Sequence, residues 1–486
     1  MPLDYVSTDT APFYASSSAT SARAELLWGD RVLVDEDATP VNGRVRARAR
    51  GRRGWIRTGD LGGASLLEFY FIDVGQGDGV LIRTPDHRHI LIDGGYDRSK
   101  QPTGKNAADF VDWKFRVDYG EKEIHLDAII ASHNDADHYG GLWDLLDVRR
   151  RAEINNMGVR VDAFYTAGVC WMRDSANKRF LGRTAKRYSK TYLTDLLSSR
   201  EQLLEWLRPA SEPRLQGEWA EFLQTVADLG CPVARLSHRT GWLPGFASTP
   251  GTAAVRVLGP VETTVKGAPG LLSLGDDSQN TNGNSVLLRV DYGRARFLLT
   301  GDLNARAQAA LLAAYPGAGA AEFAADVAKA CHHGSDDCSL AFLRAVGAGC
   351  TVISSGDNES HSHPRPTIVA ASALTGHTVI RKDALITPMI YSTEIARSAR
   401  LGRVTGVTGP GIEAGTQLAD YRASYTETQA GDLNPKKGTR SLAGSHLVVG
   451  MIYGLVNVRT DGRRILTATM NEKRTGWDVK AFDSRF

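Results

Sequence analysis

The sequence predicts an α/β fold, with strands and helices stacked as the layers of a sandwich, and two patterns lead to it. From Phe69 onward, apolar strand candidates alternate with helical stretches, and several neighbouring strands read as antiparallel hairpins. The composition fits a packed protein: of 486 residues 42% are hydrophobic and 23% charged, with 50 Gly and 18 Pro, which excludes a disordered or fibrous chain. That length suffices for two or three domains, each with its own core.

In chain order, residues 24 to 61 come first. They read as short strands, RVLV and RVRARA among them, separated by the turns DEDATPVNG and RGRRG. The spacing of Trp28-Gly29-Asp30 and Gly54-Trp55-Ile56 resembles a bacterial SH3-like module, a small β-barrel of about sixty residues. We assign it residues 1–64, as an adaptor or packing element that could receive a protein partner. The second domain takes residues 65–486. Its strands FYFIDV, GVLIRT and HILIDGG are separated by the turns GQGDG and PDHR, and LDAIIAS leads through a polar loop into the helix GLWDLLDV. Residues 174 to 230 show no strand signal and read as helical, giving a helical insertion or lid over about 144–235. KGAPGLLSLGDDSQNTNGN (266 to 284) reads as a loop, followed by the hairpin SVLLRVDY and ARFLLTGD. The helix NARAQAALLAAY then starts at Asn304 as N-cap. Strand DVAKAC, helix SLAFLRAV, strand CTVISS, helix PTIVAASAL and strand TVIRK continue the alternation, and a hairpin over about 445–486 closes the chain.

Charge and cysteines narrow the setting. A formal net charge of +3 does not by itself argue for nucleic acid. Five cysteines with no CxxC pair argue against a disulfide framework or a zinc ribbon. The N-terminus has no signal-peptide pattern, and no run of eighteen apolar residues would span a membrane, so the expectation is a cytoplasmic protein without membrane contact.

The chemistry concentrates in Ser132-His133-Asn134-Asp135-Ala136-Asp137-His138-Tyr139-Gly140-Gly141, where a buried strand ends. Four ligand-type side chains in six residues can serve two neighbouring ions, His133 with Asp135 and Asp137 with His138. FLLTGD stops at Asp302, where Gly301 lets the backbone turn and a carboxylate could bridge two cations. VAKACHHGS stops at the adjacent imidazoles of His332 and His333, one suited to a metal and the other to a substrate phosphate or a water.

The ordered motifs FIDVGQGD, LIDGG, SHNDADHYGG, FLLTGD, HHGS and SHPRP, over residues 69 to about 390, resemble the metallo-β-lactamase superfamily. Within it they are similar to the ComEC-type competence-protein branch, where His-x-Asp-x-Asp-His replaces His-x-His-x-Asp-His. The resemblance implies a four-layer αββα sandwich and makes His133, Asp135, Asp137, His138, Asp302 and His333 metal ligands. Asp93 would orient a ligand from beneath, Asp73 and Asp78 would line the same edge, and His363 of SHPRP would reach toward the substrate. A third histidine for the first metal is usual in the superfamily; between Tyr139 and Asp302 only His238 is on offer, in a pattern that is not the family's.

So oxygen-rich a site suits two divalent ions, Mn²⁺ or Zn²⁺ as working metal with Mg²⁺ as a further choice. Two cations about 3.5 to 4 Å apart can hold a bridging water and clamp both oxygens of an in-line displacement. The leading reading is therefore a phosphodiesterase or nuclease acting on nucleic acid or a nucleotide. In it Asp137 or Asp302 orients the nucleophile and His332 or His363 protonates the leaving oxygen. The substrate part follows from the resemblance, since the ComEC domain is associated with degrading one DNA strand. Cationic RDSANKRFLGRTAKRYSK (173 to 190), with Phe180, Tyr188 and nearby Tyr192, could meet a single strand or be a solvated face. Lactone, thioester or amide hydrolysis is the alternative, and a non-catalytic partner-binding protein with a decayed core is a third reading.

Overall fold

The structure, a computed structural model, describes residues 2–36, 39–101, 104–356, 362–393, 398–413, 417–426, 437–452, 454–470 and 476–486, without the side chains of 152–153, 398–402 and 446–452. Two sheets face each other at its centre. Leu67–Ile72 is apolar at nearly every position and buried at all six, the pattern of a strand covered on both faces. It lies inside a nine-stranded sheet in the order Val233–Arg235, Phe164–Thr166, Ala128–Ala131, His89–Ile92, Val80–Arg83, Leu67–Ile72, Leu455–Thr460, Arg464–Met470, Trp477–Asp483. The first four of these run parallel and the rest antiparallel. The second sheet has six strands, ordered Ala254–Gly259, Leu287–Tyr292, Ala295–Leu299, Val327–Lys329, Cys350–Ile353, Met389–Ser392, parallel from the third onward.

One apolar core fills the space between the sheets, with the rings of Phe69 and Phe297 stacked 4.2 Å apart across it. On the outer face of the nine-stranded sheet, Ala107–Trp113, Ala136–Leu146, Arg200–Trp206 and Gly217–Asp228 bury their apolar sides against Tyr70, Leu91 and Ile129. Ala305–Ala314 and Leu340–Val346 cover the other sheet through Leu311 and Phe342. The result is the αββα sandwich. Among the described residues no helix is long and apolar enough to cross a membrane.

The N-terminal strands form a six-stranded antiparallel sheet in the order Leu3–Tyr5, Arg31–Val34, Arg44–Ala49, Arg52–Arg57, Thr10–Tyr14, Ala22–Leu27, with a core of its own around Phe13, Leu26 and Ile56. Leu3–Tyr5 and Ala22–Leu27 stand at the two ends of that order. The sheet docks on the C-terminal strands: Leu27 packs with Leu466 and Ala468, and Asp30 meets the buried Arg459 at 2.8 Å.

Two sequence expectations need correction. The segment expected to be a helical insertion is helical only in part. Met172–Arg173, Arg179–Phe180, Thr184–Arg187, Lys190–Leu193 and Arg214–Leu215 are strands. Gly182 and Tyr188 sit at positive φ, and the Thr and Tyr residues around them favour extended backbone. The stretch 266 to 284, expected as loop, contains the strand Ala268–Leu272 and the helix Asp277–Gly283, the latter started by a capping box between Asp276 and Gln279.

Candidate metal centre

Every candidate ligand sits where a strand of the sandwich ends, along one edge. Ala128–Ala131 delivers His133. Asp135 is the N-cap residue of Ala136–Leu146, and Asp137 and His138 lie in that helix's first turn, where the dipole favours a carboxylate. Ala295–Leu299 runs through Gly301, φ 52°, to Asp302. Beyond Val327–Lys329, both His332 (φ 46°) and His333 (φ 51°) adopt the left-handed region, as does Asp93 (φ 56°) after His89–Ile92. Such backbone costs energy for a non-glycine residue and persists where surrounding structure enforces it.

Asp302 is the hub. Its Oδ2 lies 3.0 Å from His333 Nε2, 3.3 Å from His138 Nε2 and 4.0 Å from His133 Nε2. Asp135 stands 3.8 Å from His133 Nε2, while Asp137 stands 3.9 Å from His138 Nε2 and 3.5 Å from His333 Nε2. The other nitrogen of each ring is already engaged: His133 Nδ1 with the hydroxyls of Ser132 and Ser285, His138 Nδ1 with Asp93 at 2.9 Å, His333 Nδ1 with the Ser354 carbonyl at 3.1 Å. That leaves all three Nε2 atoms buried without a hydrogen-bond partner among the described residues. Imidazoles held through one nitrogen, with the other aimed at a shared carboxylate, are the arrangement of metal ligands. Among the described residues, His133, His138 and Asp302 form one group close enough to hold an ion, and Asp137, His138 and His333 another.

The electrostatics agree. Burial works against a charge on His138 and His333, but Asp302 with Asp93 or Asp78 overcomes it and raises both rings well above their usual range. His133, buried and beside His138, is lowered to about 3, so it is neutral and free to ligate. Burial and the neighbouring Asp137 push the Asp135 carboxyl up to about 7. So many facing carboxylates call for positive charge, which divalent cations supply in place of protons.

Asp78 and Asp93 lie directly behind the ligands. Asp93 also accepts from the Ser132 amide at 2.7 Å, and Asp78 approaches His333 Nδ1 at 3.2 Å. Asp73 is used differently: its carboxylate accepts from the amides of Gly75 and Gly454. The His363 ring is 5.5 Å from that of His332, and both line the mouth of the site. His238 lies apart, its Nδ1 accepting from the Glu262 amide at 3.0 Å, outside the groups that could hold an ion. Sequence reasoning missed Lys329, buried in an apolar strand, which pairs with Asp78 and stands 3.6 Å from Asp302 Oδ1. A lysine inside VAKAC was the available signal. It also missed Ser285, whose hydroxyl touches His133 and accepts from the Asp302 amide.

The centre opens into a cleft of about 1070 Å³ whose lining includes Asp135, Asp137, Asp302, His332 and His363 together with Trp171, Arg179 and Trp219. Residues 72–214 match the model of the metallo-beta-lactamase superfamily. The segment belongs to the metallo-β-lactamase superfamily. It carries the string from His133 to His138, and the αββα sandwich continues past it to Asp302 and His333. The chain is also 34% identical over 103 residues to the competence protein ComA of Neisseria gonorrhoeae, which agrees with the branch its motifs resemble. That match spans 21% of the chain and only 14% of the relative. Matching solved structures include the metallo-beta-lactamase fold protein YhfI from Bacillus subtilis, 11% identical, covering 67% of this chain and 97% of that one with a TM-score of 0.31. A diphosphatase from the PhnP family is 14% identical, with coverages of 59% and 86% and a TM-score of 0.25.

Proposed function

We propose that the protein is a metal-dependent phosphodiesterase or nuclease, using two divalent cations, Mn²⁺ or Zn²⁺, on nucleic acid or a nucleotide. The observation that carries this reading is the convergence of three unpartnered Nε2 atoms on Asp302. Bound there, the cations would supply Lewis acidity for the attacking and leaving oxygens of an in-line displacement.

The chain's residues do the rest. Asp302 faces both ion positions, and Asp137 adds a second carboxylate to orient the nucleophile. The Asn282 amide donates to His332 Nε2 at 3.3 Å, which leaves the ring proton on Nδ1, an atom without a partner among the described residues. Burial lowers the pKa of His332, which makes its imidazolium form a readier proton donor to a leaving oxygen. Arg179 and Arg365 line the cleft and suit an anionic substrate. The similarity to a competence protein points toward nucleic acid. We read the N-terminal sheet as the SH3-like module, packing on the hydrolase and open to a protein partner, and place the protein in the cytoplasm.

Hydrolysis of bis(p-nitrophenyl) phosphate, with Mn²⁺, Zn²⁺ and Mg²⁺ added singly, tests the activity. Turnover should appear with at least one metal and vanish in Asp302→Ala and His138→Ala. Metal-bound protein that turns over no diester, but opens a lactone or thioester, would overturn the phosphodiester reading.

A further inference from the structure

Of the seven cations in 173–190, only Arg179 is among the residues lining the cleft. Its guanidinium carbon lies 3.6 Å from the ring centroid of Trp171. Trp171 is half-buried and packs on two apolar clusters at once, and its carbonyl accepts from the Gln216 amide at 3.1 Å, so its position is fixed from both sides. Arg179 is held beside it by pairing of Arg179–Phe180 with Met172–Arg173, and has no ion-pair partner among the described residues. The insertion thus presents a planar cation, laid over an indole, to the same cleft that holds Asp302 and Asp135, whose carboxyl feels the Arg179 charge.

A phosphate alone would use the charge of Arg179 but not the guanidinium plane that Trp171 underlies. A base in a duplex is already stacked on its neighbours and has no free face, whereas an unpaired base can lie against a flat ring and a guanidinium plane. We infer that Trp171 and Arg179 form a stacking subsite for an unpaired nucleobase next to the scissile phosphodiester, an inference that rests on the phosphodiesterase reading and names its substrate as single-stranded. The subsite takes any base, because stacking needs a π face rather than a hydrogen-bond code.

The test compares binding of two hydrolysis-resistant phosphorothioate strands of equal length and charge, an oligo-dT and an abasic strand, to the Mn²⁺-loaded protein by fluorescence anisotropy. The oligo-dT should bind about tenfold tighter, within the range one base stacked on an aromatic ring supplies. Trp171→Ala should reduce that ratio to about threefold or less, Trp171→Phe should keep most of it, and the exposed change Arg179→Ala should lower it without affecting the melting temperature. Equal binding of both strands, or an undiminished preference in Trp171→Ala of unchanged melting temperature, would overturn the subsite. Thymidine monophosphate competing as well as the strand would also overturn the single-strand assignment, in favour of a free nucleotide. Hydrolysis of bis(p-nitrophenyl) phosphate by the same preparation reports on the activity separately: turnover without base preference sinks the subsite alone, and preference without turnover sinks the activity alone.

Discussion

His138 shows how finely one side chain is constrained, with Nδ1 at 2.9 Å from Asp93 and Nε2 at 3.3 Å from Asp302. Asp93 touches the ring nitrogen opposite the one that faces Asp302 and so sets which nitrogen is free. Asp93→Ala should therefore weaken metal affinity or activity by about 10–100-fold, the usual effect of losing a ligand's supporting partner, as read by metal titration and diester turnover. His133, Asp135, Asp137, His138, Asp302 and His333 could be picked out in the sequence because polar side chains interrupt apolar strands there. Lys329 stood out only as a cation inside VAKAC; its role could not be read, because its partners Asp78 and Asp302 come from distant stretches of chain. Nor could the left-handed backbone of Asp93, His332 and His333 be anticipated, since glycine is the residue that normally announces it. His238 shows the converse, a residue type suited to a metal that the fold places at the Glu262 amide.

Between elements, the helix Ala136–Leu146 is seated by backbone contact. A Cβ added at Gly141 would stand 2.0 Å from the Gly94 carbonyl oxygen, and one at Gly140 would stand 2.2 Å from the Asp97 amide nitrogen. The two glycines let the helix carrying Asp137 and His138 press onto the loop after Asp93, which fixes the spacing of ligand and support. Gly141→Ala should destabilise the protein by about 1–3 kcal/mol through overpacking, and should weaken metal binding even in the fraction that folds, as shown by urea denaturation and calorimetric titration. The pair was visible in the sequence as the start of a helix, but its reason lies in a loop that only the fold brings near. The same limit applies to residues 172 to 193. Their cationic, aromatic pattern was readable, yet which of those side chains face the cleft depends on a strand pairing that periodicity did not reveal.

At the scale of the whole molecule, one buried charge group ties the N-terminal sheet to the sandwich. Burial alone would raise the Asp30 carboxyl, but Arg459 and Arg50 overcome it and hold it at about 2. With a folded value below the usual 3.8, the stabilisation is complete above about pH 4 and is lost as pH falls through 2. It amounts to about 2 kcal/mol by linkage. Asp30→Asn leaves Arg459 with Glu68 as its remaining buried counter-charge and should cost about 2–4 kcal/mol at pH 7 in urea denaturation, with the gap to wild type narrowing between pH 4 and 2. Leu455–Thr460 pairs along the full length of Leu67–Ile72, and the Gly454 amide donates to Asp73, so the last strands complete a sheet begun by some of the first. During synthesis, that edge of Leu67–Ile72 therefore stays unpaired until the ribosome has delivered Leu455–Thr460, and a nascent polypeptide halted before Leu455 would expose an apolar edge to other strands or to chaperones.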